Sequence, residues 1–481
     1  MPRLRSPRAI ASARFRSSST TSTRIPASHL VTSRQPSAGH QTSVPRRRCK
    51  DPSGTRCFAA SVDIRPAAVP GTERREHAVT AVDPGRDITY RRFRFPADLA
   101  LGTADGVTAG AGGLVIGAPA GRIAHTDPHS GVTADYELAT WTSPVVEAGF
   151  PVAEVVPSWT GDTPVGCWLR VELRGHDAGK PTTDWYDLGH WAADETTIHR
   201  SSVPGQTRDE AWAKVDTFGP LRSAVTGWQL RVTLHRRTGQ AVSPVLRTVG
   251  AVATATLPEP AGSADAGPAG PPGSAGQARG RVLDVPRYSQ RLHAGGETRW
   301  GGGGDSWCSP TCVSMVLDFW GAGPTPDRYA WVAPPGHRPV VVHAARHCYD
   351  HAYAGAGNWP FNTAYAGRHG VDAFVTRLRG LAEAERFVAA GIPLIVSAAF
   401  AKGQVPGLDY DTRGHLMVLV GFTADGDPVL NDPYAPDDEA VRRTVPRGPF
   451  EAAWQGGSGG VAYVIRPEPV PLPPPPAQPN W

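Results

Sequence analysis

Lysine is nearly missing from this chain: of 49 basic residues only Lys50, Lys180, Lys214 and Lys402 are lysines. Arginine, alanine, glycine and proline dominate instead, the usage of a very GC-rich genome. Long hydrophobic runs are also missing. No stretch reaches the roughly 18 apolar residues that span a bilayer, so no integral membrane segment is expected. The apolar core of a secretory signal, about 7–15 residues, is not visible at the given start. Acidic residues are absent from positions 1–50, which hold 11 of the basic ones, 15 Ser or Thr, and a single aromatic, Phe15. That leaves 38 basic against 44 acidic residues elsewhere, so the formal +5 belongs to an arm and the body is acidic. A basic balance confined to an arm without aromatic platforms gives no support for nucleic-acid binding. Six cysteines in 481 residues are too few for a disulfide scaffold, which leaves the redox compartment open.

Glycine (54) and proline (48) together form about a fifth of the chain, which predicts short strands, turns and linkers in place of long helices. Residues 258–280 contain no aromatic and no β-branched residue and read as a linker. The expected organisation is a basic arm over 1–84, disordered or targeting, a β-sandwich-like domain over 85–257, the linker, a second folded domain over 281–466, and a proline-rich tail over 467–481 that favours polyproline II.

In the first domain, 136–141, 167–173, 228–234 and 245–254 are β-rich or alternate between apolar and polar residues. Within 167–173 the alternation predicts a core face of Cys167, Leu169, Val171 and Leu173, and a wet face of Trp168, Arg170 and Glu172. Seven tryptophans lie in this domain, and 185–191 is its expected exposed aromatic site. A core role for most of them weighs against a sugar- or peptide-binding surface.

Chemistry is concentrated in the second domain. A glycine run, Gly301 to Gly304, leads to Cys308, after which Val313, Val316, Leu317 and Trp320 recur at helical spacing until Gly321. Cys308 is therefore expected at a helix N-terminus, where open N–H groups and the macrodipole favour a thiolate. Cys312, one turn further in, is expected to pack in the core. His415 follows Gly414 and opens an apolar strand over 416–421. A second strand, 429–431, pairs with it as a hairpin and brings Asn431 or Asp432 to the same end. The order thiol, imidazole, side-chain oxygen is a nucleophile, a base and an orienter.

The segments WCSPTCVSMVLDFWG, GHLMVLVGF and LNDPYAP resemble the papain-like cysteine peptidases related to the domain that processes double-glycine bacteriocin leaders, in their stand-alone bacterial branch. The resemblance covers about 281–466. It implies an α+β domain with the cysteine helix packed on a small antiparallel sheet, a catalytic Cys308, His415 and Asp432, and Gln290 as oxyanion-hole donor at the end of a leading strand, 285–290. The family's Cys-Gly-Pro is Cys308-Ser309-Pro310 here, and the segment from Gln290 to Cys308 is long enough to act as a lid or to displace Gln290.

Leu381 to Ala390 reads as a helix closed by Gly391, a further helix starts near Trp359 with Asn362 as N-cap, and 393–399 and 461–465 read as strands. His343, His347 and His351 fall at i, i+4 and i+8, a spacing that aligns them on a helix face beside Cys348 and could bind zinc, yet no glutamate follows the first and no fourth ligand is evident. No metal and no cofactor are expected. Cys312 and Cys348 could pair if the protein is exported.

The expected function is a cysteine peptidase acting on peptide or protein substrates through an acyl-enzyme. Alternatives are an inactive peptide- or glycan-binding protein with the same fold, or a thiol acyltransferase. The resemblance implies an extracellular or cell-envelope location, and oligomeric state is not specified.

Overall fold

The computed structural model describes residues 86–256, 276–294, 299–332 and 336–481. The arm expected over 1–84 and residues 258–275 of the expected linker lie outside the described residues.

The first domain is built from two eight-stranded antiparallel sheets. One centres on Glu154–Asp162 and Val245–Thr254, the other on Cys167–Asp177, Gly227–Arg237 and Thr133–Thr142. Leu169, Val171 and Leu173 face the core as the alternation requires. On the opposite face only Arg170 stays partly exposed, however. Trp168 is buried under a second small core with Tyr136, Ala192 and Ile198, and Glu172 is buried because Arg231 grips it with two 2.7 Å bonds. The expected exposed aromatic site is likewise absent. Tyr186, Leu188 and Trp191 are fully buried, and the half-buried Trp185 is flanked by the guanidinium groups of Arg174 and Arg231 at 4.5 and 4.3 Å. Six of the seven indoles of this domain are core, so they supply burial and not a ligand platform.

The second domain is a six-stranded antiparallel sheet with helices packed on it. Its strands run, across the sheet, Asp372–Arg377, Val461–Arg466, Leu394–Phe400, Thr412–Phe422, Pro428–Asn431 and Arg442–Thr444. Its longer helices are α1 (Cys308–Phe319), α2 (Pro339–Cys348), α3 (Trp359–Gly367), α4 (Leu381–Ala389) and α5 (Arg447–Ser458). α1 is buried all round from Cys308 to Leu317, since small and apolar residues occupy every face, and it lies against the histidine strand. The N-cap of α3 is Asn358, whose side chain accepts from the Phe361 N–H at 3.1 Å; Asn362 lies inside the helix and bonds backward.

The two domains share one hydrophobic core. Phe361 of α3 sits against Trp159 and Trp191. Gly189 lies there at a φ of 152°, where a Cβ would approach the Phe361 ring to 2.9 Å. The buried Arg200 donates to the carbonyls of Arg346 and Tyr349 at the C-terminal end of α2, at 2.7 and 3.0 Å. The Asp216 carboxylate accepts from the Trp359 N–H at the start of α3 at 2.9 Å. Both contacts satisfy helix-end groups that would otherwise be orphaned.

The segment 467–481 returns to this interface. Tyr90 N–H donates to Pro479 O at 2.9 Å, Asn480 Nδ2 donates to Arg377 O at 2.8 Å, and the buried Trp481 ring packs on Phe387. It is a docked strap, with no regular secondary structure.

Candidate active site

Cys308 occupies the first position of α1, preceded by Trp307, whose indole N–H donates to Trp300 O at 2.9 Å. Cys308 therefore stands at the end of the helix where the open N–H groups lie. Ser309, the departure from Cys-Gly-Pro, is buried, and its hydroxyl bonds Tyr463 OH at 3.0 Å, so it is accommodated by a partner in the sheet.

His415 is the fourth residue of the strand Thr412–Phe422 and pairs with Ala398, so it lies within the strand and not at its beginning. The Thr412 to Gly414 segment extends the ladder because Thr412 pairs with Phe400 beyond a register shift. The imidazole Nε2 bonds Asp432 Oδ1 at 2.8 Å. Its other nitrogen, Nδ1, is the one left to bond the Cys308 side chain. Burial works against a charge on this ring, yet the hydrogen bonds to Asp432 and Cys308 and their charges raise its pKa to about 9. The ring is thereby favoured in its protonated form.

Asp432 follows the short strand Pro428–Asn431 and is inaccessible to solvent. Its Oδ1 also accepts the Tyr434 N–H at 2.9 Å, and its Oδ2 faces the Tyr410 hydroxyl at 3.1 Å and Arg443 Nε at 3.3 Å. Burial alone would raise its pKa; the bond and charge of His415, the Tyr434 N–H and the Arg443 charge outweigh it and hold the carboxyl below its usual range. Asn431 points elsewhere: its amide donates to Pro286 O at 2.9 Å and its oxygen accepts from Arg442 Nε at 2.8 Å. Of the two side-chain oxygens left open by the sequence, only that of Asp432 reaches His415.

Gln290 lies in a single 3-10 turn, Gln290–His293, capped by Ser289. The leading segment forms one isolated bridge, Val282 to Gly421, and no regular strand over 285–290. Gln290 N–H donates to Pro433 O at 2.8 Å, which ties the residue to the Asp432 segment, and its buried side-chain amide donates to Gly304 O at 2.8 Å. Among the described residues, Gly304 of the glycine run thus supports the Gln290 side chain. Trp300 and Gly301 to Gly303 all have positive φ, a left-handed turn that glycine adopts without strain.

The remaining candidates separate from this group. The Cys312 thiol bonds Leu416 O, and burial pushes its pKa well up, as it does for Cys348; the four described cysteines form no disulfide. α2 ends at Cys348, so His351 leaves the histidine face and bonds Glu195 of the first domain at 3.1 Å. His343 and His347 stack at 4.0 Å, and His343 bonds Tyr365 OH at 2.9 Å. Tyr410, whose hydroxyl meets Asp432, has no place among the residues that the sequence singles out. It lies in a turn-rich loop without a motif, and only its spacing of five residues before His415 hints at the strand end.

Among the described residues no helix is long and apolar enough to cross a membrane. No curated protein matches the chain. Residues 89–254 match the family described as Peptidase C39 N-terminal domain, and residues 282–460 match the Peptidase_C39 like family. The region that holds Cys308, His415, Asp432 and Gln290 is therefore the peptidase domain, the two-sheet region is its N-terminal companion, and the chain belongs to the C39-like peptidases.

Proposed function

We propose that the chain is an active cysteine peptidase that hydrolyses peptide bonds through a Cys308–His415–Asp432 triad. The observation that carries this reading is the double bonding of His415, to Asp432 through Nε2 and to Cys308 through the other side of the ring. The Cys308 sulfur attacks the substrate carbonyl carbon and forms an S–C bond. Negative charge moves to the carbonyl oxygen, which takes the second amide hydrogen of Gln290 and the Cys308 backbone N–H. His415 Nδ1 gives its proton to the departing amine as the C–N bond breaks. Water then loses a proton to Nδ1, attacks the thioester and releases the acid, and the thiolate and imidazolium are restored. Asp432 remains ionised throughout and fixes the tautomer that presents Nδ1 to the sulfur.

The buried indoles of the first domain favour a supporting role for it over carbohydrate or peptide capture. The test is hydrolysis of a peptide library by the full chain beside Cys308→Ala and His415→Ala. Cleavage by the unmodified protein that both variants and iodoacetamide abolish supports the proposal. Cleavage that survives in Cys308→Ala, or no cleavage beside equal, slow alkylation of Cys308 and Cys312, overturns it.

A further inference from the structure

Residues 401–411 connect the strands Leu394–Phe400 and Thr412–Phe422 and carry Tyr410 to the triad. This connection is anchored. Val405 and Leu408 are buried, Lys402 N–H donates to Asp411 Oδ1 at 2.9 Å, and Arg443 donates to Gly407 O at 3.0 Å. The Tyr410 ring stands edge-on to the His415 imidazole at 5.6 Å and lies between Phe400 and Tyr434 at 5.3 and 4.8 Å. Its hydroxyl donates to Asp432 Oδ2 at 3.1 Å, the oxygen that His415 does not use. Burial and the adjacent carboxylate push the phenol pKa upward, so the group stays protonated and serves as a donor.

The carboxylate is thereby held from both sides: His415 and the Tyr434 N–H take Oδ1, while Tyr410 and Arg443 face Oδ2. The other ionisable groups facing the imidazole are Cys308 and Tyr434, whose ring lies 6.1 Å away. A carboxylate gripped at one oxygen only can rotate about its Cβ–Cγ bond and lose its alignment with the imidazole. Two donors on opposite oxygens prevent that rotation.

We propose that Tyr410 is a positioning residue for the cysteine–histidine pair: its hydroxyl fixes the plane of the Asp432 carboxylate, and its ring keeps water from the His415–Asp432 bond. The proton then rests on the imidazole and not on the Cys308 sulfur at neutral pH. The inference concerns the site proposed above as catalytic, but thiol alkylation tests it without any peptide, so its failure is separable from failure of the peptidase reading.

Tyr410→Phe keeps the ring and removes the hydroxyl. With that bond to a charged group lost, the rate of Cys308 alkylation by iodoacetamide should fall about tenfold at pH 6.5. It should converge with the unmodified protein near pH 10, where the thiolate forms without help from the imidazolium. Asp432→Asn should show the same deficit, and the double variant no larger one, because Tyr410 acts through Asp432. Superimposable profiles, an equal deficit at both pH values, or additive losses overturn the proposal. Should Tyr410→Phe not fold, the unmodified protein offers a second measurement. A shielded bond predicts a slowly exchanging, low-field Nε2–H resonance for His415 in its NMR spectrum, and its absence overturns the proposal.

Discussion

The side-chain amide of Gln290 donates to the carbonyl oxygen of Gly304, 2.8 Å away, while a Cβ at position 304 would lie 2.2 Å from the carbonyl oxygen of Gln290 itself. The two residues therefore approach at a distance that only glycine permits. Gly304→Ala should push the 3-10 turn away from the cysteine helix and destabilise the protein by about 1–3 kcal/mol, the usual cost of overpacking. Urea denaturation measures that loss, and peptide hydrolysis should fall with it even at temperatures where the variant is fully folded. Undiminished turnover would show that the glycine run does not support the site.

Gln290→Ala tests the oxyanion role directly. Removing one oxyanion-hole donor costs about 100- to 1,000-fold in kcat. Alkylation of Cys308 forms no oxyanion, so its rate should change little in the same variant. A parallel loss of both rates would instead mean that Gln290 supports the thiol.

The His415 pKa of about 9 lies above its unfolded value, so the ring's contribution to stability is fully present below pH 6.5 and is lost as pH rises through 9. An NMR titration of the histidines should find one ring that ionises near 9, and this transition should move toward 6.5 in Asp432→Asn. Melting temperature should decline between pH 7 and 9.5 in the unmodified protein more steeply than in that variant.

Asp216 carries the opposite burden. Burial raises its pKa to about 6, in part countered by the Trp359 N–H and the Thr217 hydroxyl and reinforced by the Asp350 charge. For an acid, a raised folded pKa means that stability is lost as pH climbs from the unfolded value of 3.8 to 6. Asp216→Asn keeps an acceptor for Trp359 without the charge. It should stabilise the protein by about 2–3 kcal/mol at pH 7.5, from two pKa units at 1.4 kcal/mol each, and by almost nothing at pH 3.5. A destabilised Asp216→Asn at pH 7.5 would contradict this account of the interface.

Much of the second domain was legible because its signals are local. The helix behind Cys308 follows from apolar spacing, and the hairpin that brings Asp432 to His415 follows from two apolar strands around a short polar turn. The choice between Asn431 and Asp432 was not local, since it depends on which side chain the Val285 and Pro286 carbonyls attract. The first domain misled for a related reason. Alternation assigns residues to two faces but does not reveal what covers the outer one, so Trp168 and Glu172 read as wet until Ile198 and Arg231 are placed over them. Arg200 and Asp216 gave no signal at all, because the helix ends they satisfy lie about 140 residues further along the chain.

The strap formed by 467–481 bears on how the protein folds. Ile88 N–H meets the Gln478 side chain across 390 residues of sequence, and Thr376 meets Asn480 across 104. Closing so long a loop costs little more free energy than closing a shorter one, because the penalty grows only logarithmically with length. Its effect falls on timing. The first strand of the β domain and Phe387 of the peptidase domain wait for partners that the ribosome supplies only after both domains have been made, so the seam between them is sealed late.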